Sequence, residues 1–374
     1  MRKFITIICT AAAIASAVGC AKLGMAEDVT IASRSAEEQD LIPVTLGIST
    51  SSATVETRDL SAYTDMLDYE KAVYSIQYLI FESGKILSYY KATSLTDNPV
   101  IYVSSAKSYS VYAYVNIDQD LSTVTEYSEL SDLRITLRGD EKTTGFPMYG
   151  YGYINKDSKE TSLTVPVYQQ MSRVAVSYIK NSLPSTFGDL TIEGIFLATV
   201  PSKALLTTGL SGISSYSQYK DYDGTWYNYR GRTTYSNTST TYIDGTTNLA
   251  QMPDLTYRSI GTTVANAGEY APSSPVLLYS YPNCAPTSSY LGSNTYTALI
   301  IIARINGELQ YYNVPFNSQG VNATGLLNRS SYTLGVTITG FGSSDPMTKV
   351  STTAVSSSIH IEEWAGNSVY EGTV

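Results

Sequence analysis

Apolar and polar residues alternate along much of this chain with a period of two, the spacing that sets every second side chain on one face of a strand. In KAVYSIQYLIFESGKIL, Tyr74, Ile76, Tyr78 and Ile80 share a face, and Glu82-Ser83-Gly84-Lys85 turns the chain into a second strand, which predicts a hairpin. SYSVYAYVNI gathers Tyr109, Val111, Ala113 and Val115 in the same way, and RVAVSYI gathers Val174, Val176 and Tyr178. YTLGVTI sets Tyr332, Leu334, Val336 and Ile338 against Thr333, Gly335 and Thr337. Nearer the N-terminus, VTLGISTSSATVETR reads as a short strand from Val44 to Ser49, then a polar loop, then one arginine, Arg58. TALIIIARI, residues 297–305, is almost wholly apolar, as a strand covered on both faces should be, and Asn306-Gly307 after it is a strong hairpin turn. Only 63–72 and 122–134 have the makings of helix, and 201–275, rich in Ser, Thr, Tyr and Gly, reads as long loops. A strand with one apolar face needs a second layer over it, so the pattern predicts an all-β protein of packed sheets.

Composition sharpens this picture. A chain of 374 residues is long enough for two ordinary domains. Charged residues are only 15%, and 33 tyrosines with many Ser and Thr residues fill the gap, a mixture that favours strands over helices. The net charge of −9 leaves no basic footprint for a phosphate backbone, which excludes nucleic acid as a partner. The first residues, MRKFITIICTAAAIASAVGC, begin with Arg2 and Lys3, continue through an apolar run and end in small residues, the plan of an export signal. The run, about 15 residues, is shorter than the roughly 20 that a spanning helix needs. It ends at Gly19-Cys20, which resembles the lipobox of bacterial lipoproteins, with Ala17 where leucine is usual. That resemblance implies cleavage between Gly19 and Cys20 and a diacylglyceryl lipid on Cys20. Cys9 leaves with the signal, so Cys284 is the one remaining thiol and no intramolecular disulfide framework can form. The polar, acidic stretch after Cys20 reads as a tether.

Catalytic chemistry has little to work with. The sole histidine, His360, lies in an alternating segment, SIHIEEWAG, and reads as a solvent-side strand residue rather than a base. Cys284 has only that histidine as a possible activating partner, and Cys/His zinc sites are excluded by count. Asp221, Asp223 and Gly224 resemble part of a calcium loop, but the glycine comes too early and no glutamate closes the site. Glu362 and Glu363 are adjacent on a strand and point to opposite faces, so they cannot act as a glycosidase pair. The reading is of a protein that is not an enzyme and takes no metal and no cofactor beyond the lipid on Cys20.

The order of lipobox, strand, arginine and hairpin is followed by GFPMYGYGYI at 145–154, QQMSRVAVSYI at 169–179, LNRSSYTLGVTITGFGSSDP at 327–346 and IHIEEWAGN at 359–367. With Asn328, Arg329 and Tyr332 leading into Ile338-Thr339-Gly340, and Trp364 near the end, this combination resembles the fimbrillins, the major fimbrial subunits of type V pili on Gram-negative anaerobes. The resemblance implies two transthyretin-like β-sandwich domains in series, 59–180 and 181–374, after a signal peptide (1–19) and a lipidated pro-segment with a removable first strand (20–58). It also implies a route. The lipoprotein reaches the outer membrane, an arginine-specific or trypsin-like protease cuts between Arg58 and Asp59, and the first strand is lost. A neighbouring subunit's C-terminal segment, within about 350–374, fills the groove. Arg34 lies upstream of the strand, so cutting there would leave the groove filled. Ile359, Ile361, Trp364 and Val369, with Tyr370, are the residues that would anchor the donor; alternatively, 359–364 is the last strand of the second domain. The partners implied are identical or related pilus subunits, the protease, and ligands on a host or bacterial surface, with the product displayed as a cell-surface fimbria. Stalk is the favoured role, tip or anchor the alternative within the same fibre. The competing class is a monomeric surface lipoprotein that binds glycans through Trp226, Tyr227 and Tyr229.

Overall fold

The computed structural model of the protein describes residues 41–50, 66–131, 133–198, 200–201, 203–206, 226–227, 255–283, 297–316, 326, 329–346, 348, 350, 354–363 and 370–373. The first strands are Leu41–Thr50 (β1), Ile76–Glu82 (β2), Lys85–Ala92 (β3), Val100–Ser104 (β4) and Tyr109–Val115 (β5). The short Arg134–Thr136 (β6), Met148–Ile154 (β7) and Ser162–Gln169 (β8) complete this half. All but β6 form one seven-stranded sheet in the order β3-β2-β5-β7-β8-β1-β4. Its first hairpin turns at Ser83 (φ 51°) and Gly84 (φ 82°), two successive positive values that match the twist of the flanking strands.

Period two along β2 and β5 sorts side chains between two cores. Ile76, Tyr78, Ile80, Val111, Ala113 and Val115 enter an apolar cluster shared with Val44 and Leu46 of β1 and with Ile101 and Val103 of β4. These strands lie at opposite ends of the sheet order, so the sheet curls around that cluster. Leu79, Phe81, Tyr112 and Tyr114 face the other way, into the main core. Tyr74, expected on the inward face, precedes β2 and is 53% exposed. On β7, a Cβ at Gly150 would run into the Pro166 carbonyl of β8, so the close approach of these strands requires glycine there.

The remaining strands are Ser172–Asn181 (β9), Leu190–Ala198 (β10), Val200–Pro201 (β11), Lys203–Leu205 (β12), Trp226–Tyr227 (β13), Tyr257–Val264 (β14), Glu269–Tyr270 (β15) and Val276–Ser280 (β16). They continue as Ala298–Ile305 (β17), Glu308–Pro315 (β18), Ser330–Ile338 (β19), Val355–Glu363 (β20) and Tyr370–Thr373 (β21). One four-stranded sheet runs β14-β10-β17-β18; another runs β15-β9-β19-β20-β21, with β16 also on β9. Two small ladders join β11 to β13 and β12 to β6. β17 is covered on both faces as its sequence predicts. Leu299, Ile301, Ala303 and Ile305 enter the main core, while Ala298, Ile300 and Ile302 join a smaller cluster with Phe196 and Tyr311. Its turn into β18 uses Asn306 (φ 52°) and Gly307 (φ 83°).

The architecture is all-β, with sheets packed as sandwiches, and the residues from Ile42 to Val374 fall in one compact unit. The position between 180 and 181 expected as a domain boundary falls within β9, whose ladder partners β15, β16 and β19 all come later in the chain. Two local expectations are corrected. The described part of 63–72 is turn rather than helix, and among the described residues of 122–134 only the single 3-10 turn Tyr127–Leu130 winds up. The region expected as loop, 201–275, contains β14, in which exposed Ser259, Gly261 and Thr263 alternate with half-buried Ile260 and Thr262 and buried Val264, on an edge of its sheet.

Candidate functional site

The strand β1 occupies an interior place in its sheet. It runs parallel to β8, with Thr45 to Thr50 opposite Ser162 to Val167, and has β4 on its other side. Successive amides point in opposite directions: Thr45 N–H donates to the Thr161 carbonyl and Leu46 N–H to the Pro99 carbonyl, both at 2.8 Å. Alternation completes the seat. Val44 and Leu46 are fully buried, Ile42 and Ile48 pack half-buried beside them, and Leu41 is exposed. Taking this strand away would expose the edges of β8 and β4 and open the apolar cluster between them, which is a template for a replacement strand.

Downstream of the segment that follows β1, the chain is held by a buried polar cluster. Glu70 is 0% exposed and Arg173, on β9, is 2% exposed; Arg173 Nη1 stands 3.1 Å from Glu70 Oε2. The Tyr279 hydroxyl donates to Glu70 Oε1 at 2.5 Å, and Leu67 N–H donates to Glu70 Oε2 at 2.7 Å. Arg173 Nε donates to the Ser331 hydroxyl on β19, and the Gln169 side-chain amide donates to the Glu70 carbonyl. Burial, reinforced by the Glu70 carboxylate, pushes the Tyr279 hydroxyl far above the usual phenol range, so it stays a donor. The Tyr69 hydroxyl, 2.7 Å from that of Tyr279, is raised by burial as well. Asn116 pins the next residues: its Oδ1 accepts the Tyr74 and Ser75 amides, and its Nδ2 donates to the Ala72 and Phe146 carbonyls. Residues 67–75 are therefore tied to β8, β9 and β16 and to Asn116 just past β5 through bonds in which β1 takes no part.

At the other terminus, β20 pairs antiparallel with β19, Ile359 opposite Leu334 and Ile361 opposite Tyr332. Ile359 is 7% exposed and belongs to the main core. β21 pairs back on β20, Tyr370 opposite Ile361, and ends the sheet order, so its outer edge carries no ladder partner among the described residues. Of the two readings left open for 359–364, Ile359 and Ile361 stand here in a strand of the chain's own sheet. Gly19, Cys20, Arg58, Asp59, Trp364 and Val369 lie outside the described residues, as do Asp221, Asp223, Gly224, Tyr229 and Cys284. Trp226 and Tyr227 form β13 against Val200 and Pro201. His360 stands in β20 opposite Thr333. Among the described residues, no group of His, Cys, Asp and Glu could hold a metal, and no helix is long and apolar enough to cross a membrane.

Sequence reasoning missed Glu70, Arg173 and Tyr279. The one available signal was QQMSR at 169–173, polar residues leading into an apolar strand, but nothing local points from Arg173 to a carboxylate 103 residues earlier.

No family model matches the chain, and no curated protein matches it. Solved structures do. A candidate cell adhesion protein from Bacteroides eggerthii superposes with a TM-score of 0.57 at 15% identity, over 87% of this chain and 96% of that one. A second candidate cell adhesion protein, from Parabacteroides distasonis, gives 0.55 at 13% identity over 88% and 98%. A fimbrilin from Porphyromonas gingivalis gives 0.54 at 12% identity over 88% and 99%. Nearly the full length of each relative is matched, so the likeness is one of whole architecture rather than of a shared sandwich. The fold of this chain is therefore the fimbrillin-like fold, as the motifs in its sequence implied.

Proposed function

We propose that this chain is a structural subunit of a cell-surface fimbria, exported as a lipoprotein on Cys20, freed by cleavage after Arg58 and assembled by strand exchange. The observation that carries the reading is the seat of β1, an interior strand with two buried side chains, joined to β2 through a segment that contains a lone arginine. An interior strand that can be detached from the rest of the chain leaves two backbone edges and an apolar slot, and both are satisfied by another strand. The donor is the C-terminal segment of a neighbouring subunit. Because one subunit's tail fills the next one's slot, the contact is head-to-tail and builds a filament. β21, last in its sheet, is the part of the tail whose release disturbs the chain's own core least; β20 carries Ile359 into that core and stays behind or leaves last. The uncut precursor keeps its slot filled by β1, which prevents assembly during export. Stalk is the role that needs both a slot and a tail, and this chain offers both.

The test is limited trypsin treatment of soluble protein beginning at Ala21, followed by sizing and N-terminal sequencing. The expected result is a ladder of oligomers whose subunits begin at Asp59, absent for Arg58→Ala. A protein cut at Arg58 that remains monomeric would overturn the polymerising role.

A further inference from the structure

The strand β7, MYGYGYI, alternates Tyr149, Tyr151 and Tyr153 with Gly150 and Gly152, so the three rings share one face. Its neighbour β5 sets Tyr114 opposite Tyr149, Tyr112 opposite Tyr151 and the small Ser110 opposite Tyr153. Side chains paired across two strands touch, and here the rings form a continuous ladder. Between ring centroids, Tyr114 lies 5.1 Å from Tyr149, Tyr149 6.3 Å from Tyr112, Tyr112 6.1 Å from Tyr151 and Tyr151 5.7 Å from Tyr153. Tyr127, in the 3-10 turn, stacks on Tyr112 at 5.0 Å.

The ladder runs from the core to solvent. Tyr114 and Tyr149 are buried in the main core, and the Tyr114 hydroxyl has no hydrogen-bond partner. Burial pushes the hydroxyls of Tyr112, Tyr114 and Tyr149 above the usual phenol range, so they hold their protons. Tyr151 and Tyr153, at the other end, are 37% and 55% exposed. This gradient decides where an oxidised ring can settle. A phenol that loses an electron must also lose its hydroxyl proton or carry a positive charge, and a buried charge without a partner is costly. Water takes that proton from Tyr151 and Tyr153, whereas the buried rings are shielded from it. Rings in contact pass the electron vacancy along, so oxidation that enters the ladder ends at its exposed end. Tyr127 is exposed too, but the rings it touches are the buried Phe81 and Tyr112.

We propose that Tyr151 and Tyr153 are an oxidative modification site, at which a one-electron oxidant such as a haem peroxidase with hydrogen peroxide joins them into an intramolecular dityrosine. The two rings meet edge to face at an interplanar angle of 74°, and their exposure leaves them free to turn until the carbons ortho to the hydroxyls meet. Each phenol gives up one electron and its hydroxyl proton. The two radicals form a C–C bond between ortho carbons, and the two ortho protons then move to the oxygens, which restores both phenols. The peroxide takes up the two electrons and two protons, its O–O bond breaks, and two waters leave. Exposure alone does not select a site: Tyr102, 66% exposed, and Tyr74 have no ring partner among the described residues. The ladder thus drains oxidation from the core to a surface where it ends in a covalent bond, and it does so whether or not β1 is exchanged.

The experiment treats the dilute soluble chain beginning at Ala21 with a haem peroxidase and substoichiometric hydrogen peroxide. Dityrosine fluorescence reads the yield, and trypsin digestion with mass spectrometry maps the bond. Tyr151 and Tyr153 fall in one tryptic peptide, Thr143–Lys156. The expected product is a monomeric chain in which this peptide is lighter by two hydrogen atoms and gives no fragments broken between Tyr151 and Tyr153. Tyr151→Phe and Tyr153→Phe, each the loss of one exposed hydroxyl, should keep the fold and abolish that product, and with it most of the dityrosine fluorescence. No dityrosine, dityrosine mainly at other tyrosines, or chains joined to one another through Tyr102 or Tyr74 would each overturn the proposal. An undiminished dityrosine signal in either variant, with the strand signal of the unaltered protein, would do so too.

Discussion

If β1 is a strand that can leave, it must be able to open without the rest of the chain unfolding, and Leu46→Ala tests this. Leu46 is 0% exposed and sits in the apolar cluster with Val44, Ile101 and Val103. Truncating a fully buried leucine removes its transfer free energy and leaves a cavity, together about 2–5 kcal/mol. Thr45, one residue away, points to the other face and is half-buried, so Thr45→Ala should change stability by no more than about 0.5 kcal/mol. Native-state hydrogen exchange on the uncut chain reads both the local and the global effect. In Leu46→Ala, protection of the Thr45 and Leu46 amides, which bond to Thr161 and Pro99, should fall by about 30-fold to several thousand-fold, the equivalent of that loss. In the unaltered chain the amides of β1 should exchange through an opening of lower free energy and weaker urea dependence than those of β17, an interior strand of a different sheet. Equal opening free energies and equal urea dependence at β1 and β17 would mean that β1 and the rest of the chain open only together, and the detachable-strand argument would fail. Unchanged protection at β1 would mean that Leu46 is not seated in the core at all.

Two further outcomes follow from the buried polar groups. Glu70→Gln or Arg173→Met alone should cost about 3–5 kcal/mol in urea unfolding, because each strands a buried charge; the double variant should cost clearly less than the sum, and strict additivity would show that the pair is not coupled. Burial raises the hydroxyls of Tyr78 and Tyr89 to about 12 and those of Tyr114, Tyr149 and Tyr312 higher still. Above pH of about 10 the unfolded chain therefore sheds protons that the folded chain holds, and stability, intact below that pH, is lost as pH rises toward the folded values, each such tyrosine adding about 1.4 kcal/mol per pH unit. Of the phenolate absorbance of the 33 tyrosines, the share that belongs to these buried ones should appear only together with the loss of strand signal; ionisation of all the tyrosines while the strand signal persists would contradict the burial. Tyr78→Phe, which removes a buried hydroxyl without a partner, should flatten this loss and leave the protein at least as stable at neutral pH.

What could be read from residues alone was local. Ser83-Gly84 and Asn306-Gly307 announce their hairpins because two successive positive φ values are a property of the turn itself. TALIIIARI announces a strand covered on both faces because no polar position interrupts it, and Val44 to Ser49 shows its inward face by alternation. β14 was hidden because an edge strand built of Thr, Ser and Tyr has little contrast between its faces. The stretch 63–72 reads as helix by propensity alone, and its described part, 66–72, is turn and irregular chain in which Glu70 is held inward by Arg173.

The sequence by itself determined the class of fold and the positions of the strands whose faces alternate clearly or are wholly apolar, since each of these rests on composition or on spacings of a few residues. Only the tertiary structure decided that β1 lies inside a sheet beside β8, that β9 joins β19 in parallel, that Glu70 meets Arg173 and Tyr279, and that Ile359 packs in the chain's own core. The first three depend on contacts between residues more than 100 apart, where every strand edge offers the same backbone groups and selection comes from the fit of whole faces, which no short window of sequence contains.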